Sequence, residues 1–456
     1  VTKAALIVEA DGIDADMATP WGSGNAWTRT MTGLVVGARS IVVGGWGLRG
    51  QRHVRVSKPG STLKTPARVL IFDEDAGLAL LTVDDATFWT DLQPAALAGD
   101  SIRPGQIRLL HATSDGARVE SVAATVMGLG VHGNVDLLHL RIGLVDPKYV
   151  AYGDVIGSGA QALGVVTIRS GEVWAVGASA LRDFLVEAQQ PTYRGFPVLG
   201  AYYQFTTSKA LREELGLDES EGGVRLTRVW ANGSAGGALA AGDVVLTLGG
   251  KKVDRDGSYD QPGVGRIPLI GAITAGHHAG DVVDVGVLRD GKRQSVKMTL
   301  RSWPGSKRLV PWYGPVDPAD AYVVEGGLVF ENLSGEYLRS YGEDWATKVS
   351  PQLLYAWNDR FDSTEERPHV VVLTRVLADP ATLGYQRLRD LVVEQVNGKP
   401  VHSLSEVSAA FAHPDGPYHF VTLAPGQAVR RIVLGVHEAR AANERLKGTY
   451  MAGGLP

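Results

Sequence analysis

The chain of 456 residues is too long for a single core of ordinary size, and its length suggests about three domains. With 44% hydrophobic and 21% charged residues it has a globular balance, and a net charge of −4 excludes a basic footprint for nucleic acid or an anionic membrane surface. The absence of cysteine excludes disulfides, thiol nucleophiles and thiolate metal sites, and no window reaches the ~18 consecutive apolar residues of a membrane span.

Residues 3–166 carry short apolar runs broken by Gly, Asp and Pro, among them Ala5-Leu6-Ile7-Val8, Ser40-Ile41-Val42-Val43, Val69-Leu70-Ile71-Phe72 and Leu78-Ala79-Leu80-Leu81. Runs of this length with turn residues between them predict an all-β barrel or sandwich. A helical period over residues 180–186 closes the region, and Gln189-Gln190-Pro191-Thr192 reads as a linker.

A second unit over residues 195–303 holds the strands Gly223-Val224-Arg225-Leu226-Thr227-Arg228-Val229 and Asp243-Val244-Val245-Leu246-Thr247-Leu248, then Gly249-Gly250-Lys251-Lys252-Val253. A helix is predicted around residues 268–276, and Asp290-Gly291 favours a tight hairpin. Pro304, Pro311, Pro315 and Pro318 mark a second linker over residues 304–325. A third unit, residues 326–440, repeats the order: Val370-Val371-Val372-Leu373, Leu391-Val392-Val393-Glu394-Gln395-Val396, Asn397-Gly398-Lys399-Pro400, then a helix over residues 405–412. The repeat implies a duplicated module, with residues 441–456 as a tail.

The run Ala238-Leu239-Ala240-Ala241-Gly242-Asp243-Val244-Val245-Leu246 followed by Gly250-Lys251-Lys252-Val253 resembles a PDZ domain of the HtrA kind. The third unit is similar to the divergent second PDZ domain of plant-type Deg proteases, in Tyr341-Gly342-Glu343-Asp344-Trp345 and in residues 379–385 ahead of Val396-Asn397-Gly398. The first unit then resembles the family's protease domain. Residues 33–46 lie without a gap over its G-F-V-I to T-N-A-H stretch, residues 75–81 over its D-L-A-[IL]-L, and Gly153-Asp154-Val155-Ile156-Gly157 over G-[ND]-S-G-G. The resemblance implies a mostly β chain: a chymotrypsin-like double β-barrel over residues 1–188, the trypsin-like serine protease fold, followed by two PDZ-like α+β domains.

The same alignment puts Trp46 at the family's histidine, Gly77 at its aspartate and Val155 at its serine. An indole N–H donates a proton but cannot accept one, Gly77 has no carboxylate and Val155 no oxygen, so no catalytic residue is expected. Ser158 is the nearest hydroxyl to the missing nucleophile, and its Gly157-Ser158-Gly159 setting reads as a turn. His53, His132 and His139 read as surface or core residues, His277-His278 as a solvated helix C-terminus, and Glu219, Glu221, Glu365 and Glu366 as exposed acidic turns. No metal or cofactor is expected.

For the second unit the resemblance implies a peptide groove: Val198, Leu199, Gly200 and Ala201 as a carboxylate-binding loop, and Ile270 and Ile273, with Leu269, as an apolar wall. The third unit offers no comparable loop. The expected role is a peptide- or protein-binding scaffold or chaperone-like module in protein quality control, taking unfolded proteins or peptide C-termini. It is expected to form a trimer-based homo-oligomer or to associate with an active HtrA paralogue. The alternatives are the inactive half or regulatory partner of an active HtrA serine endopeptidase, for which Val1 in place of a Met fits a piece of a longer chain, and an endopeptidase with a displaced nucleophile. A bacterial periplasmic or secreted setting is the expected compartment.

Overall fold

The computed structural model describes residues 1–450 apart from residues 15, 18, 23, 100–103, 132–136, 145, 147–149, 171, 263 and 316–317. They form two compact units, Val1–Gly12 with Trp27–Trp303, and Ile13–Ala26 with Pro304–Pro456. His132 lies outside the described residues.

The first unit begins with the expected pair of antiparallel barrels. The apolar runs read from the sequence become strands that are buried along most of their length, as in Ala5–Asp14, Ser40–Gly44 and Leu78–Thr82. The first barrel's seven-stranded sheet ends on Thr65–Pro66 and Arg68–Asp73, and the bond from Ala67 N to Val54 O (2.9 Å) turns the corner between them. In the second barrel, Val155–Ser158 pairs with Gly105–Ala112 on one side and Gln161–Ser170 on the other, closing the ring. Its interior is filled by Ile107, Leu109, Val126, Leu140, Ile142, Ile156 and Val166. The helix Ala178–Glu187 follows, seated by Leu181 and Phe184, both fully buried; burying a side chain like Phe184 contributes ~2 kcal/mol.

The same unit continues into the first PDZ-like module. Its main sheet runs, from one edge, Ala201–Phe205, Val224–Val229, Val244–Leu248, Val282–Arg289, Lys292–Thr299. The Asp-Gly hairpin forms as read: Asp290 and Gly291 both take positive φ, 50° and 73°. The helix predicted around residues 268–276 does not form. A 3-10 turn, Leu269–Ala272, stands there, because Pro268, Gly271 and the β-branched Ile270, Ile273 and Thr274 are poor helix formers.

The second unit repeats the sheet order with Leu328–Asn332, Val371–Val376, Leu391–Val396, Tyr418–Leu423 and Arg431–Gly435, and sets the helix Leu404–Ala412 where the first module has its 3-10 turn. Ser403 caps that helix, accepting from Glu406 N. Asn397 and Gly398 take positive φ like Gly249 and Gly250, so the duplicated turn is real at the backbone level. Residues 304–325 are not a free linker. Leu309, Val310, Tyr322 and Val324 are buried, and Tyr322–Glu325 is a strand. Nor do residues 441–450 dangle: the helix Val436–Tyr450 buries Ala442 and Leu446.

Candidate functional site

The Ser40–Gly44 strand ends in a 3-10 turn, Gly45–Leu48, that carries half-buried Trp46. Opposite it, residues 75–77 turn between Arg68–Asp73 and Leu78–Thr82, and Gly77 O accepts from Gly45 N at 2.7 Å. Gly77 has φ +67°, and a Cβ built on it would lie 1.9 Å from Trp46 Nε1. The indole therefore occupies the volume that any side chain at 77 would need. The two positions picked from the sequence meet in space, and each residue's size requires the other's.

Val155 does not join them. It is fully buried within its strand, in register with Val165 on one side and Leu110 on the other, so its side chain belongs to the packed barrel and not to a cleft. The stretch that meets the Trp46 turn lies just ahead of it, at residues 151–153. A Cβ on Gly44 would lie 2.4 Å from Gly153 N, and one on Gly47 would lie 3.4 Å from Tyr152 Cβ. Ala151 and Tyr152 are half-buried there. Next to this stretch Asp154 is buried and fully engaged. Its Oδ1 accepts from Thr32 Oγ1 (2.9 Å), and its Oδ2 accepts from Ala151 N (2.8 Å) and faces His111 Nδ1 (2.9 Å). Burial pushes the Asp154 carboxyl upward against the pull of His111. His111 carried no sequence signal; it sits alone in an apolar strand, far along the chain from its partner.

The other singled-out residues stay apart from this cleft. Ser158 is exposed at a hairpin end, in register with Gln161. His53 is exposed opposite Asp11, and His139 is buried with Nδ1 at 2.9 Å from Leu137 O. Glu219, Glu365 and Glu366 are exposed. Glu221 is not a bare acidic turn: Arg293 grips it and holds its carboxyl down at about 2. His278 follows no helix; its Nδ1 lies 3.9 Å from buried Glu187.

In the first PDZ-like module the loop of Val198, Leu199 and Gly200 is fixed by its carbonyls, which accept from Ser234 N, Ala235 N and Trp230 N at 2.9 Å each. The strand after it, Ala201–Phe205, lies at the sheet edge with Tyr202 and Phe205 exposed at 43% and 51%. Val198, Leu199 and Ile273 are core residues, while Ala201 and Ile270 keep partial exposure.

Comparison with known proteins agrees with this architecture. Residues 313–452 match the family model of a PDZ domain. The chain is 25% identical over 406 residues to Protease Do-like 2, chloroplastic, of Arabidopsis thaliana, covering 86% of this chain and 65% of that one. Against Putative protease Do-like 3, mitochondrial, of the same plant, the figures are 23%, 85% and 68%. A probable periplasmic serine endoprotease, DegP-like, of Pseudomonas fluorescens is 30% identical over 163 residues, 35% of this chain and 31% of that one. The solved structure of the HtrA-type protease AlgW with a tripeptide superposes with a TM-score of 0.50 at 16% identity, covering 67% of this chain and 95% of that one.

Over most of its length the chain is a homologue of the Deg/HtrA-type proteases. It spans about two thirds of the length of these plant relatives. The chain carries two PDZ-like modules that differ at one place. In the second, the strand Tyr322–Glu325 pairs antiparallel with Leu328–Asn332 and takes the sheet edge that Ala201–Phe205 leaves open in the first. Val323 of that strand and Leu404 of the helix Leu404–Ala412 both pack against the module's core. The place where an added peptide strand would lie is filled by the chain itself.

Proposed function

We propose that this Deg/HtrA chain is a non-catalytic member of its family that binds peptide or unfolded-chain segments through its first PDZ-like module. The observation that carries the reading is the fit between Trp46 and Gly77, where the indole fills the space a side chain at position 77 would take. An indole N–H can donate but cannot take the proton of an attacking hydroxyl, and nothing at position 77 can orient an imidazole. The stretch abutting them, residues 151–153, offers Ala151 and Tyr152 but no hydroxyl activated by an imidazole. Thr32, the hydroxyl of the nearby polar cluster, is fully buried and committed to Asp154 and Leu110 O. The binding role rests on the edge position of the strand Ala201–Phe205, to which a peptide would add as a further strand. Oligomerisation with itself or with an active paralogue is part of the proposal.

The test is direct. The full chain is incubated with a fluorophosphonate probe and with unfolded casein; labelling or cleavage would end the non-catalytic reading. A fluorescence-polarisation screen of peptides ending in apolar residues is expected to give saturable binding that Gly200→Asp weakens at least ~tenfold, because Gly200 has φ +67° and a Cβ there would lie 2.5 Å from Gly233 Cα, so any side chain displaces the loop. Binding by the wild type that Gly200→Asp leaves intact would remove the first module from the assignment.

A further inference from the structure

The first barrel is incompletely laddered at one seam. The strand Gln51–Ser57 pairs along its length with Ala5–Asp14, but on its other side only Arg55 and Val56 have strand partners among the described residues, Pro66 and Thr65. Past the bond from Ala67 N to Val54 O the chain turns away to pair with Leu78–Thr82. The strand Arg68–Asp73 then has no strand on its other flank among the described residues. Between residues 51–54 and 66–69 lies an open cleft of about 660 Å³. Unpaired strand edges of this kind are a ready template for a further strand.

The lining of the cleft is basic. Arg52, Arg55 and Arg68 stand around it with a single carboxylate, Asp11. That carboxylate is already engaged, accepting from Arg55 Nη2 at 2.6 Å and from Thr28 Oγ1 at 2.8 Å. Arg55 Nε is buried without a hydrogen-bond partner among the described residues. Arg68 reaches Asp84 at 3.1 Å, but both side chains are more than half exposed, and such a pair is weak in water. Arg52 is exposed and has no ion pair among the described residues. A β-bulge sets it there: His53 lies opposite Asp11 and Gln51 opposite Gly12, which leaves Arg52 as the extra residue. Val54 and Val69 add apolar surface to the same lining.

We propose that this seam is a second binding site, outside the PDZ-like modules, for an acidic peptide segment in extended conformation. Its backbone pairs with the open edge of Gln51–Ser57, and its carboxylates meet Arg52, Arg55 and Arg68. An extended peptide turns alternate side chains to opposite faces, which suits a cleft lined by both arginines and valines. A phosphodiester chain has no backbone that a strand edge can ladder, so the seam favours a peptide over a nucleic acid. Planar guanidinium groups are well matched to carboxylates, which they can hold through two N–H groups at once.

The probe is a short fluorescein-labelled peptide that alternates glutamate and valine and is capped at both ends, so that it carries no terminal carboxylate. Fluorescence anisotropy on the full chain should show saturable binding, weakened at least ~tenfold by Arg52→Glu, which sets a like charge against the bound carboxylates. The matched peptide with lysine in place of glutamate should not bind. Amide hydrogen exchange then locates the probe: residues 51–54 and 68–70 should exchange more slowly when it is bound. No binding, equal binding of both peptides, or protection confined to the edge strand Ala201–Phe205 overturns the assignment. So does displacement by millimolar inorganic phosphate without protection at residues 51–54, the mark of a site for a small anion. Should Arg52→Glu fail to fold, Arg68→Glu is read in its place: weakened binding supports the site, and wild-type affinity together with unprotected residues 51–54 overturns it.

Discussion

The two PDZ-type modules share strand order, the positive-φ turn and a burial plan, yet one keeps an open sheet edge and the other closes it with its own chain. In the first, Tyr202 and Phe205 on the edge strand are exposed; in the second, Val324 and Tyr322 on the added strand are buried under the helix Val436–Tyr450. The aspartate that precedes the second sheet strand of the repeat diverges in the same way. Asp243 is buried and accepts from Arg289 Nε (2.7 Å) and Nη2 (2.6 Å), a two-bond ionic pairing, whereas Asp390 accepts from the Tyr337 hydroxyl and lies 3.5 Å from Arg389 Nε. The duplicated scaffold differs at its rim while its sheet order is the same.

The largest expected effect breaks this contrast at the edge. Val324→Asp places a charge in the apolar cluster with Ala442 and Leu446 and should destabilise the second module by about 3–5 kcal/mol, a buried unpaired carboxylate added to lost packing. Gln204→Asp, on the exposed edge strand of the first, should stay within ~0.5 kcal/mol. Urea denaturation of both variants reads the difference, and equal losses would mean that the two edges are not different in kind. Next in size, Arg289→Ala strands Asp243 without its guanidinium and should cost about 3 kcal/mol, measured the same way. Its counterpart, Tyr337→Phe, removes one hydroxyl donor from Asp390 and should cost about 1–2 kcal/mol.

How much of this was legible from the chain alone depends on whether the signal was local. The barrels were legible because apolar runs and turn residues specify them locally, and the Asp290-Gly291 hairpin because its chemistry needs only two residues. Trp46 and Gly77 were found because each lies in an ungapped stretch. That Val155 lies inside a strand ladder between Leu110 and Val165 was not legible, because the pairing joins segments far apart in the chain. His111 and the Tyr193–Asp73 bond were invisible because both join residues far apart in the chain without a recurring motif. The strand Tyr322–Glu325 was read as linker because four residues beside a proline cluster carry no periodic signal, and only the neighbouring strand and helices make them a strand.

The smallest effects separate the modules by pH. Burial pushes the Glu331 carboxyl of the second module up to about 7, with Thr374 pulling the other way. A carboxyl raised on folding favours the native state while protonated, so its contribution is complete below its unfolded value near 4.5 and is lost as pH rises through 7. The second module should therefore lose roughly 2 kcal/mol between pH 5 and pH 8, and Glu331→Gln should flatten that slope. In the first module the sign reverses. Arg293 holds Glu221 down at about 2, so its contribution is present above the unfolded value and disappears as pH falls toward 2. The pair is largely solvated, which limits that contribution to less than ~1 kcal/mol, and salt should screen it further. Thermal melts of wild type, Glu331→Gln and Glu221→Gln from pH 3 to pH 8 would show two opposed slopes; a single slope of one sign in both modules would contradict the assignment of either carboxyl.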